Sequence, residues 1–186
     1  MKDDPVHPSH RVQHRYPADV RFCPLCGAEL AMRTVVPDRK RRKVCTACGF
    51  VYFAGPKLVA GCLVVEHGRV LLLRRGIEPS RGRWTFPGGY VDADETVKTA
   101  AVRETSEEVG ISARLGQVLG VYVDPANPAV CVVVYLAERT GGSAGVSDEA
   151  LEVRYFAPDE VPWDDLAFPT TRDALTDWVS AVKRLS

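Results

Sequence analysis

The chain has 186 residues, of which 46% are hydrophobic and 26% are charged, and its 24 Lys and Arg residues balance its 24 Asp and Glu residues. These values are typical of a globular protein and exclude global disorder. A net charge of zero makes nucleic acid an unlikely partner through bulk electrostatics. No apolar run is long enough to cross a bilayer, and the polar N-terminus does not resemble a secretory signal. We therefore expect a cytoplasmic protein with reduced thiols and no membrane partner.

Composition divides the chain into three parts. Residues 1–19 are polar and contain three of the four histidines, so we expect a flexible N-terminal arm there. Residues 20–54 form a cysteine-rich module, and residues 55–186 form a larger unit with an α/β pattern. A mixed sheet sandwiched between helices is the simplest assembly for the larger unit.

The cysteine-rich module contains two C-x2-C-G pairs that are separated by 18 residues. Their cysteines are Cys23, Cys26, Cys45 and Cys48. Four thiolates surround a zinc ion tetrahedrally, and the two-residue gap lets each pair bind the same ion. Two disulfides or a redox pair are the alternatives, but no export signal is present and a redox motif would not be duplicated. The pattern predicts a structural zinc ribbon with no ligand position left open for chemistry.

A run of five basic residues, 39–43, falls within this module, in what we predict to be a loop. The run either contacts the phosphates of a nucleotide or RNA, or is the solvated tip of a β-ribbon. The sequence leaves both interpretations open.

Five apolar segments of the larger unit predict strands. Residues 58–65 and 69–74 are separated by Glu66-His67-Gly68, which favours a hairpin. Residues 114–123, 130–138 and 151–157 are rich in Val, Leu and Tyr and predict three more strands.

Two segments predict helices. Residues 96–109 begin near Asp94 or Thr96, which are suitable N-caps, and end before Gly110, a common helix terminator. After Pro169, apolar residues recur at helical spacing up to residue 185, which is typical of an amphipathic terminal helix.

The first predicted helix carries three carboxylates on one face, because Glu104, Glu107 and Glu108 occupy positions i, i+3 and i+4. Like charges at this spacing repel each other unless a cation lies among them. Oxygen ligands on a rigid element suit Mg²⁺ or Mn²⁺, which also bind substrate phosphates. Arg103 is placed to pair with Glu95 or a neighbouring carboxylate and so to hold the cluster. An acidic solvated face is the alternative.

The string from Gly89 to Ile111 fits the pattern G-x5-E-x7-R-E-U-x-E-E-x-G-U, where U is a bulky aliphatic residue, except that Thr105 occupies the first U position. This string resembles the Nudix box of Nudix hydrolases. The order of cysteine module, Gly55-Pro56-Lys57, hairpin and Arg81–Gly89 is similar to that of zinc-ribbon Nudix pyrophosphatases. The resemblance implies a Nudix α/β/α sandwich with a mixed sheet, preceded by a small zinc ribbon. It also implies divalent-cation-dependent cleavage of a diphosphate linked to a nucleoside.

The resemblance also implies roles for individual residues. Glu104, Glu107 and Glu108 would bind Mg²⁺ or Mn²⁺, with the carbonyl of Gly89 as a fourth ligand. Family members differ in their catalytic base, and here the candidates are Glu108, Glu152 and Glu149. Glu149 is more readily interpreted as an ordinary surface carboxylate. We expect Arg103 to support the catalytic carboxylates, and we expect the replacement at Thr105 to leave the metal site intact.

Five further residues are candidates for substrate binding. Arg74 and Arg81 would contact phosphates, as would Arg75, although solvated strand ends explain these arginines as well. Trp84 and Phe168 would stack on an aromatic ring, although aromatic residues more often pack in the core.

The segment Leu151–Thr170 resembles family members that act on ADP-ribose or FAD, which makes these small nucleotides the leading substrates, with AMP as a product. NADH and NAD-capped RNA follow, because the S-Q-P-W-P-F-P-type array of the zinc-ribbon NADH pyrophosphatases resembles nothing in residues 112–128. A non-catalytic nucleotide sensor is the alternative from another class. Related enzymes are often homodimers, so we expect a homodimer here.

Overall fold

The computed structural model describes residues 20–185, with the backbone alone at Leu185, so the predicted N-terminal arm lies outside the described residues. Contacts divide the chain into two compact units at the bond between Pro56 and Lys57. No helix in the described residues is long and apolar enough to cross a membrane.

The first unit contains a three-stranded antiparallel sheet in the order β1-β2-β3. Its strands are β1 (Leu30–Val35), β2 (Lys40–Cys45) and β3 (Val51–Tyr52). The prediction that the basic run lies in a loop is wrong for all but Arg39, because residues 40–43 pair with β1 as part of β2. The small core of this unit is formed by Cys23, Leu30 and Cys45.

The second unit contains seven strands and two α-helices. The strands are β4 (Lys57–Glu66), β5 (Arg69–Arg75), β6 (Trp84–Thr85), β7 (Gly88–Tyr90), β8 (Ile111–Tyr122), β9 (Val130–Gly142) and β10 (Ala150–Phe156). The helices are α1 (Val97–Val109) and α2 (Pro169–Leu185), and a short 3-10 helix covers Trp163–Asp165. The five predicted strands and both predicted helices are present.

The sheet has the order β10-β5-β4-β9-β8 and is mixed, because β4 and β9 are parallel while the other neighbours are antiparallel. Two apolar clusters pack on its opposite faces. One joins Leu63 and Leu72 to Leu175 and Trp178 of α2. The other contains Cys62, Val64 and Leu71 with Ala100, Ala101 and Val109 of α1. Since successive strand residues point to opposite faces, each strand contributes to both layers. The predicted α/β/α sandwich is confirmed.

The hairpin of β4 and β5 opens after its first two residue pairs, Val65–Val70 and Glu66–Arg69. Beyond this point β7 pairs with β4 and β6 pairs with β5, so residues 84–90 lie between the two separated strands. A side chain at Gly88 would place its Cβ only 2.7 Å from the Cα of Gly61. Glycine is required at this close approach of two backbones.

Local signals fix both ends of α1. The Thr96 hydroxyl oxygen accepts a hydrogen bond from the backbone N–H of Thr99 at 3.1 Å, as an N-cap does. Gly110 ends the helix in the left-handed conformation, with φ of 72°. Because this single glycine reverses the chain, β8 begins at Ile111, three residues earlier than predicted.

Candidate active site

The four predicted zinc ligands come together in the first unit. Their Sγ atoms all lie within 4.8 Å of one another, and two of the separations are 3.7 Å (Cys23 to Cys48) and 3.4 Å (Cys26 to Cys45). Thiolates bound at about 2.3 Å from a tetrahedral zinc ion are roughly 3.8 Å apart, so this cluster has the size of a zinc site.

The backbone around the cysteines stabilises their negative charge. The N–H groups of Ala47 and Cys48 each donate to the Cys45 sulfur at 3.4 Å, and hydrogen bonding by the Cys48 N–H lowers the pKa of Cys45 to about 6. Gly27 and Gly49 follow the two cysteine pairs with φ of 74° and 76°, a conformation that favours glycine.

The carboxylates of α1 line a cleft of about 220 Å³ in the second unit. The cleft is bounded by Glu104, Glu107, Glu108, Ser147, Asp148 and Glu149. The first three residues come from α1, and the last three come from the segment that leads into β10. The structure thus places the predicted ligands opposite Glu149, for which the sequence favoured a simple surface position.

Three hydrogen bonds hold this opposite wall in place. The Ser147 hydroxyl donates to the carbonyl of Glu108 at 2.9 Å, and the Gly145 N–H donates to the carbonyl of Val109 at 3.1 Å. The Gly76 N–H, just after β5, donates to the carbonyl of Glu149 at 2.6 Å. The wall is therefore fixed both to the end of α1 and to the central sheet.

Glu108 is the buried member of the carboxylate group, with 6% of its surface exposed. Its Oε2 accepts a hydrogen bond from the Gly88 N–H at 2.8 Å. Burial raises the pKa of Glu108 to about 8, and the nearby charges of Glu104 and Glu149 act in the same direction. A cation in the cleft would oppose this shift and favour the ionised carboxylate.

Glu104 lies against the backbone of the loop that precedes α1. A Cβ atom built on Gly89 would be 2.4 Å from Oε1 of Glu104, so no other residue fits at position 89 without moving this carboxylate. Burial is the main cause that raises the pKa of Glu104. The structure thus places Gly89 beside one of the predicted ligands.

Arg103 contacts three carboxylates. Its guanidinium binds Glu95 through two hydrogen bonds, of 2.6 and 3.1 Å, and its Nη1 donates to Glu104 at 2.8 Å and to Glu107 at 2.9 Å. Its Nη2 also donates to the carbonyl of Tyr90 at 3.2 Å. These hydrogen bonds lower the pKa of Glu95. Arg103 therefore ties the loop before α1 to two of the three cleft carboxylates.

The donor set of the cleft suits a hard divalent cation, because it consists of carboxylate oxygens. Among the described residues, the four cysteines are the one group of three or more His, Cys, Asp or Glu side chains that is arranged to hold a metal ion. The carboxylates therefore do not form a closed cage. Mg²⁺ usually keeps several of its waters and binds through a few carboxylates together with substrate phosphates, which fits this open arrangement.

The other candidate base, Glu152, lies away from the cleft lining. It is on β10 opposite Arg74 of β5, and its Oε2 is 3.8 Å from the Arg74 Nη1. The Arg74 Nε also donates to the carbonyl of Gly82 at 2.7 Å. Both side chains of this ion pair are more than 40% exposed.

The remaining predicted contact residues have different environments. Arg81 is exposed and forms no ion pair with any residue in the range 20–185. Trp84 is buried and packs edge-on against Phe156, with 4.9 Å between the two ring centroids. Little of its surface is left for stacking on a substrate. Phe168 is half-buried beneath the guanidinium of Arg75, 5.0 Å from its ring centre.

Arg75 lies close enough to the cleft for the charges of Glu108 and Glu149 to act on it. Burial lowers its pKa, while the charges of Glu108 and Glu149 act against that effect. Its Nε donates to the carbonyl of Pro79 at 2.7 Å. Ser147 and Asp148 are site residues that were not predicted from the sequence, because the only local signal is a polar Ser-Asp-Glu run before a predicted strand.

Thr105, the one residue that departs from the Nudix-box pattern, is fully buried in α1. Its hydroxyl donates to the carbonyl of Ala101 at 2.7 Å, which satisfies the only polar group that distinguishes it from valine. Thr105 is accommodated within the helix, and Glu107 and Glu108 of the next turn line the cleft.

Two family models match the chain: NUDIX domain at residues 55–179 and Nudix N-terminal, a zinc ribbon, at residues 21–53. A crystal structure of a NUDIX hydrolase from Nitrosomonas europaea is 32% identical, with a TM-score of 0.79 over 89% of this chain and 93% of that one. The chain therefore belongs to the NUDIX family, and it carries the four-cysteine zinc ribbon of the second family.

The names of two curated relatives describe different reactions. An ADP-ribose pyrophosphatase of Methanocaldococcus jannaschii is 31% identical over 58% of this chain and 65% of its own length. The NAD-capped RNA hydrolase NudC of Stutzerimonas stutzeri is 31% identical over 76% of this chain and 50% of its own length. The chain thus spans between half and about two thirds of these relatives.

Proposed function

We propose that this protein is a divalent-cation-dependent hydrolase that cleaves the diphosphate bond of a nucleoside diphosphate linked to a second group. ADP-ribose and FAD are the leading substrates, and AMP is the common product. The observation that carries this proposal is the cleft in which Glu104, Glu107 and Glu108 face the fixed segment Ser147–Glu149. Membership of the NUDIX family supports the same reaction class.

In this reaction a water molecule attacks one phosphorus atom, and the bond from that phosphorus to the bridging oxygen breaks. From ADP-ribose and water, the products are AMP and ribose 5-phosphate. When bound, Mg²⁺ or Mn²⁺ offsets the charge of the diphosphate and favours ionisation of the attacking water. Glu104, Glu107 and Glu108 would hold the ion, and the carbonyl of Gly89 is a further oxygen donor beside Glu104.

We assign proton acceptance from the attacking water to Glu149. It lies across the cleft from the α1 carboxylates, and its backbone is fixed to Gly76 of the central sheet. A base must be within reach of the water while remaining separate from the groups that bind the cation. Glu152 meets this requirement less well, because it pairs with Arg74 outside the cleft lining.

Two arginines have different parts in this proposal. Arg103 already donates to three carboxylates, so it orients the ligands and is not free for substrate. Arg75 is placed to contact a substrate phosphate, because the charges of Glu108 and Glu149 act on it and its guanidinium stacks on the half-buried Phe168. A guanidinium fixed in this way matches the geometry of phosphate oxygens.

NAD-capped RNA or NADH is the second candidate substrate. The match to the NAD-capped RNA hydrolase extends over 144 residues, against 110 residues for the ADP-ribose pyrophosphatase. The sequence lacks the aromatic and proline array of the NADH-specific enzymes at residues 112–128. ADP-ribose and FAD therefore remain the leading candidate substrates.

For the ribbon, we propose Zn²⁺ bound by Cys23, Cys26, Cys45 and Cys48 in a structural role. All four ligand positions are occupied by protein, so no position is left for a water or a substrate. A homodimer stays a prediction, which the molar mass in solution by light scattering would test.

Product analysis by liquid chromatography tests the proposed reaction. ADP-ribose, FAD and NADH are each incubated with Mg²⁺ or Mn²⁺ and with wild-type protein, the Glu108→Gln variant or the Glu138→Gln variant. Glu138 is an exposed strand residue outside the cleft, so its variant is the matched control. We expect AMP from wild type and control and at least a 1,000-fold slower release from Glu108→Gln.

Absence of AMP from every substrate with either cation would contradict the proposed reaction. If ADP-ribose still bound tightly in that experiment, the protein would be a nucleotide sensor. Cleavage of NADH alone would replace the leading substrates by the second candidate.

A further inference from the structure

The net charge of zero hides a strong asymmetry between the two units. Residues 20–56 contain seven Lys and Arg residues and only two Asp and Glu residues. Residues 57–186 contain 14 Lys and Arg residues and 19 Asp and Glu residues. A divalent cation on four thiolates leaves two negative charges, so the ribbon still carries a net charge of about +3. The bulk charge that argued against nucleic acid therefore does not describe the ribbon.

Three of these seven cations lie on one face of the ribbon sheet. Arg33 of β1 lies directly opposite Arg42 of β2, and Val35 lies opposite Lys40. Directly opposed residues point to the same face of an antiparallel pair, so two arginines and a lysine share one face. The other face carries Leu30 and Cys45, which belong to the small core, and also Arg41 and Lys43.

An aromatic ring completes the same row across the sheet. Lys43 pairs with Tyr52, so the next residue, Phe53, continues the register opposite Arg42. The Arg42 guanidinium lies over the Phe53 ring, 4.7 Å from its centre. Phe53 nevertheless keeps 66% of its surface exposed. We call the surface formed by Arg33, Lys40, Arg42 and Phe53 the basic face.

The basic face is poorly explained as an element of ribbon stability. Like charges directly opposite each other in a sheet are destabilising, and a phenylalanine that is two-thirds exposed adds little apolar burial. Asp38 neutralises Arg42 in part, through a contact of 2.6 Å. Among residues 20–185, Arg33 forms no ion pair. A polyanion would supply the missing negative charge.

We propose that the basic face binds single-stranded nucleic acid. Lysine and arginine side chains contact successive phosphates of such a strand, and an exposed aromatic ring stacks on an unpaired base. A double helix offers phosphates but no free base face, and a lipid surface offers neither free base nor regular strand. The combination of Arg33, Lys40 and Arg42 with the exposed Phe53 favours the single strand.

Fluorescence anisotropy with the full chain, with zinc bound, tests this inference. The probe is a labelled 15-nucleotide uridine strand, titrated at several salt concentrations. The double variant Arg33→Gln/Lys40→Gln removes two cations from the basic face. Lys98→Gln/Lys183→Gln removes two exposed cations from the second unit and is the matched control.

Removal of two phosphate contacts should reduce the slope of log affinity against log salt by about 1.4 and weaken binding about 20-fold at 0.1 M salt. Phe53→Ala should weaken binding about tenfold with an unchanged slope, and Phe53→Trp should restore it. This separation of charge from stacking is expected only if both parts of the basic face contact the strand.

Four outcomes would overturn the proposal. Equal binding by the basic-face variant and its control would show that the charge acts non-specifically. If a duplex bound as tightly as the single strand, no base would stack on Phe53. The same would follow if polyphosphate bound as tightly and Phe53→Ala had no effect. Binding restricted to vesicles with anionic lipid would make the partner a membrane. Self-association that requires Arg33 would make the partner of the basic face the second unit, rich in Asp and Glu, of another copy of this chain.

Discussion

The two candidate metal sites of this chain are built in opposite ways. In the ribbon, four sulfur atoms converge within 4.8 Å, and the Cys45 sulfur accepts from two backbone N–H groups. In the cleft, Glu108 is bound to the Gly88 N–H, and Glu104 and Glu107 are bound to Arg103. The ribbon supplies a complete ligand set, whereas the cleft supplies a partial one.

We expect this difference to separate a site that stabilises a fold from a site that performs chemistry. A complete set of four protein ligands excludes water and substrate, so the free energy of metal binding goes into the folded state. An incomplete set leaves positions for water and phosphate oxygens, so the cation has sites for both reactants. Substitutions in the two sites should therefore affect different measurements.

The largest expected effect is the loss of ribbon structure in Cys26→Ser. Zinc binding by such modules is worth about 10 kcal/mol, and a three-thiolate set loses much of it. Zinc content per chain should fall, and amide hydrogen exchange should become fast in residues 20–53. Cys131→Ser, outside the cluster, is the control. A ribbon that stayed protected without zinc would show that its strands fold on their own.

Arg103→Gln should destabilise the cation-free protein by about 3 kcal/mol, because three carboxylates lose their common partner. Urea unfolding in the presence of a chelator measures this change. Arg114→Gln breaks the exposed pair with Glu138 and should cost about 0.5 kcal/mol or less. Equal effects of the two variants would mean that the Arg103 contacts contribute no more than a surface pair.

Gly89→Ala should act on the cleft without unfolding the protein. The new methyl group would overlap Oε1 of Glu104 and displace this carboxylate. We expect a roughly 10- to 100-fold higher cation concentration for half-maximal activity. At Gly141, the nearest atom to an added Cβ is 3.8 Å away, so Gly141→Ala should leave this concentration unchanged. If Gly89→Ala left the cation concentration for half-maximal activity unchanged, Glu104 would not be a ligand of the cation.

Thr105→Val should have the smallest effect, within about 1 kcal/mol in unfolding free energy. The substitution removes one hydroxyl and its bond to the Ala101 carbonyl, which still accepts from the Cys62 thiol at 3.4 Å. Thr105→Ala, which also removes a methyl group from the core, should cost about 2 kcal/mol. A loss above 2 kcal/mol in Thr105→Val would give the hydroxyl an essential role.

Features with a local signal were predictable from the sequence. The ends of α1 follow from Thr96 and Gly110, and the hairpin follows from a turn flanked by two apolar segments. The cysteine spacing indicated the cluster, because each pair binds through its own turn. In these cases the residues that determine the structure are neighbours in sequence.

Features that depend on distant pairing were not predictable in the same way. Strands β6 and β7 contain two and three residues, too few for a periodic pattern, and exist because β4 and β5 separate around them. Glu149 reaches the cleft because Gly76, 73 positions away, donates to its carbonyl and because Ser147 donates to the carbonyl of Glu108, 39 positions from Ser147. The basic run became a strand because β1 offered a partner.

The placement of residues 84–90 between β4 and β5 has a consequence for how this chain tolerates insertions and deletions. Gly88 and Gly89 contact Glu108 and Glu104, so the number of residues from this loop to α1 is set by the chemistry. The turn 123–129 joins the neighbouring strands β8 and β9 and carries no cleft residue. Changes in chain length should therefore be accepted in that turn and rejected between Gly89 and Glu104.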